Sequence, residues 1–197
     1  MRRVTDIARE SGCRIIIDEV QTGFMRTGEL WVHETYGIKP DMLNIGKAMG
    51  GGLPLSGVVA EFSDFSALQT PAFSHVTTFG GNPVCCASGL AAFKQIVGMR
   101  QEVRSLSEQF DRWAERVSKL GLLESVSGLG LMRGLHFFDS EHAYDFVARC
   151  QKDRLLLGYK LNNSTAVRFA PPLTTTEEQM NGVLALMSST LEEVCAS

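Results

Sequence analysis

The sequence predicts an α/β chain in two parts, and three observations carry that prediction. A mixed polar and apolar segment from about Arg3 to Glu10 leads into Ile15-Ile16-Ile17-Asp18, which reads as a helix followed by a strand, near Arg14 to Asp18, buried in a parallel sheet. Further short apolar runs at Met42 to Ile45 and Leu55 to Ala60 read as buried strands. Composition then changes after Gly98-Met99: Val103, Leu106, Phe110, Trp113, Val117 and Leu120 recur at spacings of three, four and seven before Gly121 stops them, the pattern of a long amphipathic helix. The expected boundary divides residues 1–100 from 101–197, with the long helix bridging the two.

The remaining elements follow in order. Asn82 is a good N-cap and Pro83 fits the first helical position, so a helix is expected over Pro83 to Val97; its Ala, Ser, Gly and Cys content suits close packing against a sheet or a partner subunit, with Cys85 and Cys86 as packing residues. Beyond the long helix, strands are expected near Leu123 to Ser127 and Leu131 to Phe138, a helix near Glu141 to Lys152, and strands near Leu155 to Gly158 and Ala166 to Phe169. A last helix starts at a capping box, Thr175 to Glu178, and runs through Val183, Leu184, Met187 and Leu191. This second part is α+β.

Composition narrows the function classes. The 197 residues are 44% hydrophobic, and 19 basic against 22 acidic side chains leave a net charge of -3. The charges are interspersed without a polybasic stripe, so neither a nucleic-acid backbone nor an anionic membrane is an expected partner. No apolar stretch reaches bilayer length and Met1-Arg2-Arg3 does not open a secretory leader, which makes the cytoplasm the expected setting. The five cysteines, Cys13, Cys85, Cys86, Cys150 and Cys195, are odd in number and lack metal-ligand spacing, so reduced thiols and no metal are expected.

Two groups carry candidate chemistry. Lys47 stands in Asn44-Ile45-Gly46-Lys47-Ala48-Met49-Gly50-Gly51-Gly52; only a neutral amine attacks a carbonyl, and a desolvated lysine in a glycine-lined turn is suited to forming a Schiff base. The alternative is a surface lysine. Asp18 closes the Ile15-Ile16-Ile17 strand, and ligands of open α/β sheets bind outside such carboxyl ends. An acid there needs a cation or a donor, such as a protonated pyridine nitrogen, unless it only caps the following turn. Two phosphate-loop readings fail: Gly128-Leu129-Gly130-Leu131-Met132-Arg133-Gly134 misses the dinucleotide spacing by one residue, and Gly46-Lys47 is followed by alanine where a nucleotide loop needs Ser or Thr.

Four separated blocks together resemble the class III, pyridoxal-phosphate-dependent aminotransferases, the group of ornithine, acetylornithine and 4-aminobutyrate aminotransferases. They are Ile17-Asp18-Glu19-Val20-Gln21-Thr22-Gly23-Phe24 with Arg26-Thr27-Gly28, then Lys39-Pro40-Asp41 leading to Gly46-Lys47-Ala48, then Thr77-Thr78-Phe79-Gly80-Gly81-Asn82-Pro83, and Val167-Arg168-Phe169-Ala170-Pro171-Pro172-Leu173. The resemblance covers essentially the whole chain. It implies fold type I, with residues 1–100 as the carboxyl-terminal part of the large cofactor-binding domain and 101–197 as the small domain. It also implies pyridoxal 5'-phosphate as cofactor, and transfer of an amino group from an amino acid or ω-amine to a 2-oxo acid. By the same likeness Asp18 partners the pyridinium nitrogen, Val20 packs on the ring, Gln21 bonds near the phenolic oxygen, and Lys47 forms the Schiff base and then moves a proton. Thr78 serves the cofactor phosphate of a neighbouring subunit, which implies a homodimer, and Arg168 grips the substrate α-carboxylate. Other readings stand beside these: Val20 as ordinary core, Thr78 as a turn residue, Arg168 as a solvent-facing charge. Glu19, Arg26 and Asp41 are expected to shape loops and ion pairs.

The family supplies, upstream of the Asp18 strand, a Gly/Ser-rich turn for the cofactor phosphate and an aromatic residue stacked on its ring. No counterpart lies between Met1 and Asp18. The resemblance therefore implies the carboxyl-terminal part of such an enzyme, either a fragment or one piece of a split protein, acting as a homodimer or with a chain that carries the amino-terminal half. On its own the chain is expected to bind the cofactor weakly. Two alternatives remain: a glutamate-1-semialdehyde aminomutase-like enzyme, against which Arg26-Thr27-Gly28 leans, and a noncatalytic subunit that keeps the dimer surface.

Overall fold

The computed structural model describes residues 1–68, 75–160 and 162–196. They form two compact units, Met1–Met25 with Glu29–Arg100, and Arg26–Gly28 with Gln101–Ser197.

In the first unit, α1 (Arg2–Glu10) precedes β1 (Ile16–Asp18), and α2 (Val32–Thr35) precedes β2 (Met42–Ile45). A 3-10 turn (Lys47–Gly50), β3 (Gly57–Ala60), a second 3-10 segment (Phe62–Leu68) and α3 (Pro83–Val97) follow. The strand order is β1-β2-β3. β1 pairs with β2 in parallel, Asp18 opposite Asn44, whereas β3 runs antiparallel to β2. Ile15, Ile17, Phe24, Leu43 and Ile45 form the core on one side of this sheet. Asp41 fixes the start of the pairing: its carboxylate accepts from the Ile15 amide at 2.6 Å, while the Ile15 carbonyl accepts from Asp41 N at 2.8 Å.

Burial differs here from the sequence expectation. Ile16, Val58 and Val59 are 56%, 49% and 55% exposed. Successive side chains alternate across a strand, which puts Ile16 on the face away from Ile15 and Ile17, whereas Val58 and Val59 point to opposite faces of the terminal strand β3 and both are left uncovered. In α3 the only buried residue is Gly89; a Cβ there would lie 2.7 Å from the Met49 carbonyl oxygen, so the helix backbone comes close to the Lys47–Gly50 turn. Asn82 does cap α3, accepting from the Val84 and Cys85 amides. Cys86, expected in packing, is exposed.

The second unit is a four-stranded antiparallel sheet, with β4 (Ser125–Leu129), β5 (Met132–His136), β6 (Gly158–Lys160) and β7 (Asn163–Phe169) in the order β4-β5-β7-β6. Its helices are α4 (Arg100–Lys119), α5 (Ser140–Lys152) and α6 (Glu177–Cys195). The α4 stripe is buried from Val103 through Val117, while Leu120 lies past the helix end and is 61% exposed. Phe110 stacks on Phe169 with centroids 5.3 Å apart, and the Trp113 indole donates to Ser188 Oγ at 2.8 Å. Arg133, itself buried, lies 4.9 Å from the Phe110 centroid, donates to Gly130 O at 2.7 Å and pairs with Asp111 at 2.8 Å.

Two expected elements shift. The run Leu155-Leu156-Leu157 is not a strand: the Leu155 amide closes α5 by donating to Cys150 O at 2.9 Å, and Leu156 is 80% exposed. Pairing starts only at Gly158, opposite Arg168. The capping box of α6 sits one residue later, between Thr176 and Gln179. Gly130-Leu131 turns the β4–β5 hairpin after the paired Gly128 and Leu129, and both glycines have positive φ, 103° at Gly128 and 56° at Gly130.

Candidate active site

Parallel pairing brings two strand ends to one edge. Asp18 is the last residue of β1, and β2 ends at Ile45, directly before Gly46-Lys47. The Asp18 side chain is exposed; Oδ1 accepts from the Val20 amide at 2.9 Å, and Oδ2 has no partner among the described residues. A Cβ on Gly46 would lie 3.5 Å from Val20 Cγ1, so the valine packs against the glycine that precedes the lysine. Asp18, Val20 and Lys47 are thereby gathered at one edge of the sheet.

Lys47 opens its 3-10 turn at φ 48°, a left-handed conformation uncommon for a residue with a Cβ. Such strain persists only where surroundings impose it, and it concentrates at functional positions. Here Gly46 is buried and Gly51, also left-handed at φ 58°, ends the turn against Ser88 and Ala92 of α3. The ammonium group is exposed and has no hydrogen-bond or ion-pair partner among the described residues. The desolvated setting expected for this lysine is thus not supplied by them.

Glu19 gives the loop after β1 its shape. Its side chain is fully buried; Oε1 accepts from the His33 amide at 2.9 Å and lies 3.0 Å from His33 Nδ1, and Oε2 accepts from the Thr22 hydroxyl. The Glu19 carbonyl also accepts from Gly23 N at 2.9 Å. Gly23 has no room for a side chain, since a Cβ there would lie 2.7 Å from the Trp31 ring, and Phe24 and Met25 follow at φ 58° and 62°. The central place of Glu19 and His33 was not legible in the sequence; the tight Gly23 beside an aromatic residue was the available hint.

The other expected residues sit apart. Gln21 is exposed, and Thr78 is exposed in the turn before α3; neither is hydrogen-bonded to Asp18 or Lys47 among the described residues. Arg168 belongs to the second unit, on β7, opposite Gly134 on β5 and Gly158 on β6. A Cβ on Gly158 would lie 3.4 Å from Arg168 Nη2, so the guanidinium lies over that glycine, without a carboxylate partner among the described residues. Arg26 donates to Pro171 O at 2.5 Å and Leu131 O at 3.3 Å; burial, and secondly the Arg168 charge, push its pKa below the usual arginine value. Two guanidinium groups close enough to sense one another favour an anion between or beside them.

No group of three or more His, Cys, Asp or Glu side chains able to hold a metal occurs among the described residues, nor is any described helix long and apolar enough to cross a membrane.

The profile of the family described as aminotransferase class-III matches residues 1–191. A putrescine aminotransferase of Pectobacterium atrosepticum is 36% identical over 201 aligned positions, which cover 97% of this chain and 42% of the relative. Among solved structures, the acetylornithine aminotransferase of Elizabethkingia anophelis superposes with a TM-score of 0.86 at 31% identity, covering 98% of this chain and 49% of that one. An ornithine aminotransferase of Toxoplasma gondii, described with partial occupancy of PLP at its active site, gives 0.88 at 27% identity over 99% of this chain and 46% of its own. The chain thus spans about half the length of the proteins it matches, or less. It belongs to the class III aminotransferases.

Proposed function

We propose that the chain supplies Lys47, Asp18 and Arg168 to a pyridoxal-phosphate-dependent transaminase that moves an amino group from an amino acid or ω-amine to a 2-oxo acid. The observation that carries this reading is the edge of the parallel β1–β2 pair, where a carboxylate with one oxygen unengaged and a lysine with no hydrogen-bond or ion-pair partner among the described residues emerge from neighbouring strand ends. The donor set fits the cofactor: Asp18 keeps one carboxylate oxygen free, Val20 offers an apolar surface, and the Lys47 amine is unengaged.

When bound, the cofactor supplies a ring that accepts electrons from the substrate carbon. Asp18 holds a proton on the ring nitrogen, and Val20 keeps water from one ring face. Gln21 donates near the phenolic oxygen. The Lys47 amine would hold the cofactor and, when free, would take and return the substrate-carbon proton at Nζ. Arg168 orients the substrate carboxylate through its planar pair of donors. The hydroxyl of Thr78 serves the phosphate held by a neighbouring subunit.

In this reading residues 1–100 are the carboxyl-terminal part of the large domain and 101–197 the small domain. The working form is a cytoplasmic homodimer or a complex with a chain that carries the amino-terminal half. Its support is apolar surface: Val84, Leu90 and Val97 of α3 are 66%, 56% and 43% exposed. A monomer in sedimentation that binds cofactor with all contacts from one chain contradicts this assembly. One observation favours the noncatalytic alternative, the exposure of both Asp18 and Lys47. Turnover by the assembled protein decides between them: Asp18→Asn should retain cofactor attachment yet lower kcat by about a hundredfold or more, the scale of losing a positioned electrostatic partner. Near-normal rates in that variant remove Asp18 from the chemistry, and a wild-type assembly without turnover supports the noncatalytic reading.

A further inference from the structure

One row crosses all four strands of the second sheet: Ser127 on β4 faces Gly134 on β5, Gly134 faces Arg168 on β7, and Arg168 faces Gly158 on β6. Residues directly opposite one another share a face, so the two glycines open room on either side of the arginine. The guanidinium fills the room over Gly158. Over Gly134, a different set of groups converges. A Cβ placed on that glycine would lie 2.9 Å from Ser127 Oγ, 3.1 Å from Lys160 Nζ and 3.3 Å from His136 Nε2. Ser127 Oγ and His136 Nε2 are also 2.7 Å apart, within hydrogen-bond distance.

This cluster is one-sided in charge. Lys160 has no carboxylate partner among the described residues, and the next charged group along the row is Arg168, a second cation. An ammonium, an imidazole and a hydroxyl are drawn to one point from three strands, with glycine as the floor, and no carboxylate among the described residues neutralises the ammonium. A cross-strand Ser–His pair on its own needs neither the glycine nor the lysine folded over it.

We propose that Ser127, His136 and Lys160 form an oxyanion-binding site over Gly134, separate from the one assigned to Arg168. Its ligand is a small oxyanion, a phosphate or a carboxylate, held by the Lys160 ammonium and the Ser127 hydroxyl, while His136 Nε2–H donates to Ser127 Oγ and so turns that hydroxyl toward the ligand. Gly134 leaves the volume the oxygen atoms occupy. The site does not depend on the cofactor or on the transaminase reading.

The test is a titration of the purified chain at low ionic strength with inorganic phosphate, and separately with acetate, followed through the His136 ring resonances by NMR. Saturable shifts are expected with at least one anion; saturation by phosphate alone identifies a phosphate site, and saturation by acetate alone a carboxylate site. Lys160→Met should weaken binding about tenfold, the scale of one charge-assisted hydrogen bond. Ser127→Ala should weaken it less, and Gly134→Ala should abolish it by filling the hollow. Arg168→Ala should leave it within about twofold, the residual effect of a nearby screened charge. The proposal is overturned if neither anion saturates, if Lys160→Met binds as wild type does, or if Arg168→Ala alone abolishes the response. Should Gly134→Ala fail to fold, the surface variants at Lys160 and Ser127 decide the matter.

Discussion

Both units bury a core, but the first leaves more of its large apolar side chains exposed than the second. The second closes a core of its own: Phe110 and Phe146 are fully buried, and Phe137 and Trp113 are 1% and 2% exposed. The first leaves Phe62 and Phe79 each 79% exposed, along with the outward valines of β3. The candidate residues are divided between the two, with Asp18 and Lys47 at the strand ends of the first unit and Arg168 on a sheet whose opposite face buries Leu135, Val167 and Phe169.

The largest effect that sharpens this contrast is expected from Phe110→Ala, which should cost about 3–5 kcal/mol by leaving a cavity against Phe169 and Trp113. Val58→Thr, on the exposed face of β3, should stay within about 0.5 kcal/mol. The two tryptophans allow each unit to be followed by fluorescence in urea, Trp31 in the first and Trp113 in the second. Equal losses from the two substitutions would break the distinction.

A smaller loss, about 1–3 kcal/mol, is expected from Glu19→Gln, since the buried side chain then presents an amide where an acceptor serves the Thr22 hydroxyl or His33. Because Glu19 shapes the loop that carries Asp18 and Val20, the change should appear in the Trp31 signal. If only Trp113 responds, the loop is organised by something other than this carboxylate.

The smallest effect concerns acid. The Ile15 amide, and after it Arg9, Arg14 and Lys39, hold the Asp41 carboxyl below the ordinary carboxylate range. The unfolded chain therefore takes up the proton first as pH drops, so this contribution is complete above about 3.9 and is lost as pH falls through the lower folded value. Asp41→Asn should flatten the acid limb of the Trp31 transition and leave that of Trp113 unchanged. An unaltered acid limb would contradict the assignment.

The contrast also explains what the sequence disclosed. Helical spacing identified the α4 stripe through Val117, and Asn82-Pro83 marked the start of α3, because periodicity and caps are local physics. Spacing does not say what covers a face, so Ile16, Val58 and Val59 were expected to be buried and are not. Leu155-Leu156-Leu157 misled for a related reason: an apolar run looks the same whether it joins a ladder or closes a helix. Within the site, the residue types of Asp18 and Lys47 were readable, as was their order. The left-handed backbone of Lys47, the buried Glu19–His33 contact and the glycines opposite Arg168 arise from partners distant in sequence, and no single segment encodes them.

The most direct test of the account asks which of the chain's lysines takes the cofactor. The protein is incubated with less than one equivalent of pyridoxal phosphate, reduced with borohydride and digested, and the modified peptides are mapped by mass spectrometry. The pyridoxyl group is expected on Lys47, with Asp18→Asn still labelled there and Lys47→Ala removing it. Preferential labelling of Lys94, Lys119 or Lys160, or a wild-type pattern spread evenly over all lysines, contradicts it.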